Sequence, residues 1–254
     1  MYETWSENIA ENLTLVRHSA GPELVIVVSG SSQDRGYWSN HLDQTSPDVF
    51  RQDGQTCVAS VYEQFVRGNF LGTFNAWAEA QQHGVLDSQD LPNVALMSMV
   101  FGKGTRLSPF TQALGNRKPA FPTPMKGDCS EEFLRTVDLA NLYANSWVRH
   151  LDDRGFRGLV VKWGDEAVIP GVRWETGGHD YQDIDAVRFV WLTEPTEDLA
   201  REKEWVVIDA QTGLMRYQFS RQELATLRNR VADLEGDVRV GVNLGSLAIS
   251  YDFL

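Results

Sequence analysis

The chain has 254 residues, of which 42% are hydrophobic and 11% are aromatic, and its formal net charge at pH 7 is −12. This length and composition suit one large α/β domain or two small ones. The negative charge argues against binding to a nucleic-acid backbone, which depends on basic patches. No stretch approaches the roughly 18 apolar residues that span a bilayer, and the N-terminus lacks the pattern of a signal peptide.

The two cysteines, Cys57 and Cys129, are far apart and have no histidine at metal-ligand spacing. Neither a disulfide framework nor a zinc site is therefore expected. Two unpaired thiols fit a reducing compartment, so the sequence predicts a cytoplasmic protein that does not bind membranes.

The first half of the chain alternates helical patterns with short apolar runs. The run 23–29 is continuous and rich in β-branched residues, which predicts a buried parallel strand. The run 94–101 predicts a second such strand. The other expected elements are a helix over 1–20, a helix that follows Ser32 and runs through Tyr37 to Leu42, a strand over 56–61, a glycine-bearing segment at 67–77 that opens a helix to about residue 83, and a polar connection over 84–93.

The second half begins with a helical pattern over 128–151, where Asp128 and Glu131 have the spacing of a capping box. A buried strand over 158–163 is expected directly before Gly164 and Asp165. The remaining expected elements are strands at 186–192, 204–208, 214–219 and 245–251, a hairpin turn at 209–213 and a helix at 221–234.

Strands that alternate with helices indicate an α/β fold, and we expect a three-layer α/β/α arrangement around a mixed, mainly parallel sheet. In such sheets ligands bind at the carboxyl ends of strands, near a switch point in the strand order. The motifs described next lie at predicted strand ends, where that rule places a binding site.

A glycine-containing loop follows the predicted strand 94–101. Backbone N–H groups in such a loop can cradle phosphates, and two cations, Arg106 and Lys118, come soon afterwards. Arginine and lysine are suited to a polyphosphate. The predicted nucleotide-binding residues of the loop, which precede Arg106, are Gly102, Lys103, Gly104 and Thr105.

The segment resembles the fingerprint of sugar-1-phosphate nucleotidyltransferases, in which Gly-x-Gly-Thr-Arg-Leu-x-Pro-x-Thr is followed shortly by Lys-Pro-x-x-Pro. The resemblance implies a Rossmann-like fold of the nucleotide-diphospho-sugar transferase type, also called GT-A-like. It also implies Mg²⁺-dependent transfer of a nucleotidyl group from a nucleoside triphosphate to a sugar 1-phosphate. The matching positions are Gly102, Gly104, Thr105, Arg106, Leu107, Pro109, Thr111, Lys118, Pro119 and Pro122.

The resemblance assigns roles to further residues. Gly164-Asp165 resembles the Gly-Asp at a strand end that supplies a metal ligand, so Asp165 is expected to bind Mg²⁺ and, with Arg106 and Lys118, to serve catalysis. Two weaker matches concern the base and the sugar. Their residues are Gly72 and Thr73 for the nucleotide base, and Asn243, Gly245 and Arg221 for the sugar phosphate.

Each weaker match has a simpler alternative. Asp165 would be an exposed turn residue, Thr73 would cap a helix at an ordinary loop junction, and Arg221 would be an exposed residue at a helix start. The order of the motifs, with the Gly72 segment before the arginine loop, resembles the fucose-1-phosphate guanylyltransferase type. The base, uridylyl or guanylyl, and the sugar stay open.

We expect one domain over residues 1–254, as a complete nucleotidyltransferase domain or as the N-terminal part of a longer protein, because family members usually continue beyond this length. Association into homo-oligomers is left open. Two other functions are also left open. Asp183 and Asp185 form an Asp-x-Asp pair typical of glycosyltransferases that use nucleotide sugars. Phe101 stands where the family has a loop glycine, which leaves a non-catalytic nucleotide-binding module as the third hypothesis.

Overall fold

The computed structural model describes residues 2–50, 56–62, 69–82, 91–101, 108–129, 132–166 and 180–254. These residues form a mixed α/β protein with a large mixed sheet whose strands are mostly parallel. That coarse prediction from the sequence is confirmed. The chain divides into two compact units, of which unit 1 comprises residues 1–186 and 248–254 and unit 2 comprises residues 187–247.

The described part of the chain contains seven α-helices and ten strands. The helices are α1 (Tyr2–His18), α2 (Ser32–Val49), α3 (Asn69–Gln82), α4 (Phe110–Ala113), α5 (Thr136–Asp152), α6 (Glu197–Glu202) and α7 (Leu224–Ala232). The strands are β1 (Leu24–Ser29), β2 (Cys57–Tyr62), β3 (Val94–Met99), β4 (Pro122–Lys126), β5 (Phe133–Arg135), β6 (Gly158–Trp163), β7 (Ala186–Leu192), β8 (Trp205–Asp209), β9 (Met215–Phe219) and β10 (Val238–Ser250).

Unit 1 contains four parallel strands in the order β2-β1-β3-β6. Every residue of β1 and β3 is buried, and β6 is buried except at its last residue. Strands covered on both faces read as continuous apolar runs, which is why the sequence located them to within two residues. The helices α2 and α5 pack against this sheet, with α5 over β3 and β6.

Two helices of unit 1 differ in extent from the prediction. The helix α2 begins at Ser32, close to its predicted start, where the Ser31 hydroxyl accepts a hydrogen bond from the Asp34 backbone N–H at 3.1 Å, but it continues beyond Leu42 to Val49. The prediction of a helix from 128 was wrong, because the hairpin β4–β5 occupies residues before α5. The carboxylate that satisfies the start of α5 is Asp138, which accepts from the Arg135 N–H at 2.7 Å.

Unit 2 is built on antiparallel strands, with β8 between β9 and the first part of β10. Its core contains Ala200, Trp205, Leu227 and Val242, so α6 and α7 pack on the face of β8 that carries Trp205. The last strand is longer than expected, since β10 begins at Val238 and continues through Gly245 at a φ of 78°. Glycine tolerates this left-handed backbone, so the position does not end the strand.

Candidate functional site

The strand order of unit 1 places a switch point between β1 and β3. The chain passes from β1 outward to β2 and then crosses to β3 on the other side of β1. Open α/β sheets bind ligands outside the carboxyl ends of the strands at such a point. The residues that follow these strand ends, Gly30, Phe101 and Gly164, therefore border the expected binding crevice.

The predicted phosphate loop leaves β3 at this switch point. Gly102, Lys103, Gly104, Thr105 and Arg106 lie outside the described residues, so their predicted roles stay predictions. The last described residue before them is Phe101. The backbone just before it is held in the sheet, because Val100 donates its N–H to the Val28 carbonyl at 2.9 Å.

Two of the predicted catalytic residues, Lys118 and Asp165, contact each other in the structure. The Lys118 ammonium donates to the Asp165 carboxylate and forms an ion pair with it. Lys118 begins a 3-10 turn after the loop, and Asp165 follows the end of β6. The side chain of Lys118 is 41% exposed and that of Asp165 is 16% exposed, so both groups are partly open to solvent beside the carboxyl end of β6.

Close packing fixes the backbone beneath Asp165. Gly164 donates its N–H to the Met99 carbonyl at 2.9 Å. A Cβ atom at Gly164 would lie 3.1 Å from Val100 Cγ1 and 3.3 Å from Val137 Cγ2. Glycine therefore favours the close approach of the ends of β3 and β6 to α5, and this approach helps to set the position of the residue that follows, Asp165.

Two aromatic rings border the same crevice. The centroids of Phe101 and Trp163 are 6.4 Å apart with their planes inclined at 57°. A Cβ atom at Gly30 would lie 3.6 Å from Phe101 Cδ1, so Phe101 also lies against the chain that leaves β1. Both rings are half-buried and present apolar surface where ligands bind in this class of sheet.

Buried beneath this end of the sheet is a lysine that the sequence analysis did not single out. Lys162 on β6 is fully buried, and its ammonium has no hydrogen-bond partner among the described residues. It lies 5.5 Å from the centroid of the Trp147 ring and 3.9 Å from Glu166 Oε2. Burial lowers the pKa of Lys162 to about 8, and the charges of Glu166 and Asp165 offset part of that effect.

The residues predicted to contact the base lie inside a helix. Gly72 and Thr73 belong to the first turns of α3, and both are buried. The helix begins at Asn69, so neither residue opens it as the sequence suggested, and the capping role considered for Thr73 is excluded. Two aromatic residues further along α3 contact the C-terminal residues of the chain, since Phe74 meets Phe253 and Trp77 stacks on Tyr251 at 5.3 Å.

The residues predicted to contact the sugar belong to unit 2. The Asn243 side chain donates to Glu204 Oε2 at 3.2 Å and accepts from the Gly245 N–H at 3.1 Å. The amide is therefore held in one orientation beside a carboxylate. Arg221 is exposed and precedes α7 by three residues, in the short segment after β9.

The Asp-x-Asp pair lies at the opposite end of the parallel strands from Asp165. Asp183 and Asp185 line an open cavity of about 650 Å³ together with Arg157, which directly precedes β6. The carboxylates that the two enzyme hypotheses propose as metal ligands therefore lie at different ends of the strands. Within the described ranges, no group of three His, Cys, Asp or Glu side chains is placed to hold a metal ion.

Comparison of the chain with protein-family models, with curated proteins and with solved structures found no match. None of the helices in the described part of the chain is both long and apolar enough to cross a membrane. Function therefore has to be argued from the site itself.

Proposed function

We propose that this chain is a Mg²⁺-dependent nucleotidyltransferase that joins a sugar 1-phosphate to a nucleoside triphosphate. The observation that supports this most is the Lys118–Asp165 ion pair beside the switch point of the sheet. These two motif residues are more than 40 positions apart in the sequence and come into contact. The segment that carries the glycine loop follows β3, the strand that pairs with β6 in the sheet.

The proposed reaction is an in-line displacement. An oxygen of the sugar phosphate attacks the α-phosphorus of the triphosphate, the bond from that phosphorus to the bridging oxygen breaks, and pyrophosphate leaves. Such a reaction needs positioning and charge neutralisation more than covalent help. We assign the backbone of loop 102–105 to the triphosphate and the cations of Arg106 and Lys118 to the charge that develops on the phosphates.

The donor groups fit a metal shared with the substrate. Mg²⁺ is commonly bound by one or two carboxylates together with substrate phosphates, and Asp165 offers one carboxylate at the crevice. Bound magnesium would supply neutralisation of phosphate charge. The contact of the Lys118 ammonium with the Asp165 carboxylate supports a cation site at this carboxylate, and both groups would turn to the substrate in the proposed reaction.

The aromatic pair suggests how the base is held despite the departure at Phe101. The family's loop glycine would let backbone approach the base, whereas Phe101 and Trp163 offer ring faces instead. Stacking on aromatic rings is tolerant of base identity and contributes about 1–3 kcal/mol per base. We therefore propose that Phe101 and Trp163 stack on the base, in addition to the contact with the base that the family resemblance implies for Gly72 and Thr73.

The sugar side and the cellular setting complete the proposal. Asn243, Gly245 and Arg221 would bind the sugar 1-phosphate, with the Glu204 contact orienting the Asn243 amide. A cytoplasmic location is inferred from the two free, exposed thiols of Cys57 and Cys129. Whether the base is uracil or guanine depends on pocket contacts that the described residues leave open.

The test is pyrophosphate release with Mg²⁺, crossing UTP, GTP, CTP, ATP and dTTP with a panel of sugar 1-phosphates. Release with one pair would establish the reaction and identify both substrates. Arg106→Ala should then lower turnover by about 10²–10³-fold, the usual cost of removing a group that stabilises transition-state charge. Arg149→Ala, on the exposed face of α5, is the matched control. No release from any pair would contradict the proposal.

The cavity beside Asp183 and Asp185 favours one alternative, a glycosyltransferase that uses a nucleotide sugar. This function predicts tight binding of a nucleoside diphosphate sugar and no pyrophosphate release from any triphosphate. Triphosphate binding without turnover would instead select a nucleotide-binding module. The same panel, extended by nucleotide sugars, separates the three functions.

A further inference from the structure

Tyr37 lies between two arginines. The guanidinium carbon of Arg117 is 4.2 Å from the centroid of the Tyr37 ring, and that of Arg135 is 5.4 Å from it. Arg135 also donates to the Tyr37 hydroxyl. We call Tyr37, Arg117 and Arg135 the arginine–tyrosine cluster; its three side chains are partly accessible to solvent.

Three separate segments bring the cluster together. Tyr37 lies in the second turn of α2, Arg135 directly precedes α5, and Arg117 ends the turn after α4. Arg117 is held by Asp34, whose Oδ1 accepts from Arg117 Nε at 2.7 Å. A Cβ atom at Gly115 would lie 2.6 Å from Arg117 Nη1, so the backbone makes room for this guanidinium.

The charges of the cluster are incompletely balanced by the contacts that hold it. The two guanidinium groups are held within about 10 Å of each other, a Debye length at 0.1 M salt. Asp34 pairs with Arg117, while the Arg135 guanidinium contacts the hydroxyl of Tyr37. The nearby Asp138 carboxylate accepts from His41, Thr45 and the Arg135 backbone. Among the described residues, only the Arg117 guanidinium of the cluster forms an ion pair with a carboxylate, in a chain whose net charge is −12.

We propose that the arginine–tyrosine cluster binds a phosphoryl group. Planar guanidinium groups with several N–H donors match the oxygens of a phosphate, and stacking on Tyr37 keeps both arginines in place before the anion arrives. Arg117 directly precedes Lys118, so the cluster adjoins the Lys118–Asp165 pair. The identity of the phosphate rests on the proposed function: it is either the pyrophosphate end of the triphosphate or the phosphate of the sugar 1-phosphate.

The test is the affinity for inorganic pyrophosphate, measured by titration calorimetry without nucleotide. Arg117→Gln and Arg135→Gln should each weaken binding about tenfold, the loss expected for one charge-assisted hydrogen bond. Arg149→Gln makes the same change of net charge on the exposed face of α5, where Arg149 faces Asp153 at 3.7 Å. This control should stay within about twofold of the wild type.

Two further variants test the geometry. Tyr37→Phe keeps the ring and should retain most of the binding, whereas Gly115→Ala should weaken it because the new Cβ would displace Arg117. Should Arg117→Gln fail to fold, Arg117→Lys keeps the charge and loses the planar group, and it should still bind more weakly.

The outcomes distinguish this inference from the proposed function. The inference would be overturned if Arg117→Gln and Arg135→Gln both bound pyrophosphate as tightly as the wild type. It would also be overturned if the wild type did not bind pyrophosphate. Weaker pyrophosphate binding in both variants supports it, even where no nucleotide transfer is found. With transfer active, a raised KM for the triphosphate assigns the cluster to the pyrophosphate end, and a raised KM for the sugar 1-phosphate assigns it to that substrate. Unchanged values of both would overturn it.

Discussion

Lys162 lies in an environment unlike that of a lysine side chain in water. It is wholly buried between β6 and Trp147, and its ammonium has no hydrogen-bond partner in the described part of the chain. Burial disfavours the charged form, which is why the pKa of Lys162 falls to about 8. The Lys162 ammonium lies three residues before Asp165 in the sequence, and the carboxylates of Glu166 and Asp165 stabilise its charged form.

The lowered pKa of Lys162 predicts a dependence of stability on pH. Between about pH 8 and pH 10.5 the unfolded lysine is protonated and the folded one is largely neutral, so the unfolded state binds more protons. The free energy of unfolding should therefore rise with pH in this window, by on the order of 3 kcal/mol. Urea denaturation of wild type and Lys162→Met at several pH values measures it.

The difference between these two proteins isolates Lys162. Burial also raises the pKa of the Tyr251 phenol, so above pH 10 the folded protein keeps a proton that the unfolded chain loses, and stability falls as the pH rises. This effect acts in the opposite direction but is common to both proteins, so it cancels in the comparison. An equal pH dependence of wild type and Lys162→Met would show that Lys162 titrates normally in the folded protein.

The aromatic pair gives a second prediction for single residues. Nucleotide that stacks on Trp163 should quench its fluorescence, so Trp163→Phe should lose most of the signal change seen on titrating triphosphate. Trp191→Phe, which alters an exposed tryptophan of β7, should keep that change. Phe101→Leu should raise the KM for the triphosphate about tenfold. Equal quenching in both tryptophan variants would exclude Trp163 from the site.

Among the elements, β6 does most to place the candidate site. Its carboxyl end leads to Asp165 and its interior holds Lys162, while its first residue packs against the end of β10. Helix α5 covers it from one face, with Trp147 over Lys162 and Val137 beside Gly164. The position of the Asp165 carboxylate therefore depends on how β6 sits between β3, β10 and α5.

Gly158→Ala tests the seating of β6. The new Cβ would lie 2.2 Å from the Ile249 carbonyl oxygen and 2.8 Å from Ser250 Cα, which are backbone atoms that cannot move aside easily. We expect a loss of about 2–3 kcal/mol in the free energy of unfolding, as for other overpacked sites. Gly36→Ala is the control, since nothing lies within 4 Å of its Cβ and α2 should gain about 1 kcal/mol. Wild-type stability of Gly158→Ala would refute this account of β6.

At the scale of the whole molecule, the chain comprises two compact units, and the residues proposed to bind the sugar phosphate, Asn243, Gly245 and Arg221, belong to unit 2. Asn243→Ala should therefore raise the KM for the sugar 1-phosphate about tenfold while leaving the KM for the triphosphate unchanged. Steady-state kinetics with each substrate varied in turn measures both values.

Gln218→Ala is the control for that prediction. Gln218 also donates to Glu204 Oε2, at 3.1 Å, but it has no assigned role in sugar binding. It should leave both KM values as in the wild type. An equal rise in both variants would mean that Asn243 acts only through the structure around Glu204.

The parallel strands and the position of Asp165 directly after β6 could be predicted from the sequence. Buried β-branched runs locate strands directly, and ligand groups in such sheets follow strand ends. The start of α5 could not be predicted, because the residues of the hairpin β4–β5 before it show no clear alternation of apolar and polar side chains. Tyr37 and Arg135 were missed as partners because they are 98 positions apart and meet only through the packing of α2 against α5.

The central claim is that nucleotidyl transfer occurs at Asp165. Its most direct test compares pyrophosphate release by Asp165→Asn and Asp183→Asn, which make the same change of charge and size at opposite ends of the parallel strands. The account predicts that Asp165→Asn loses activity by at least about 10²-fold while Asp183→Asn releases pyrophosphate at the wild-type rate. Activity lost in Asp183→Asn and kept in Asp165→Asn would contradict it.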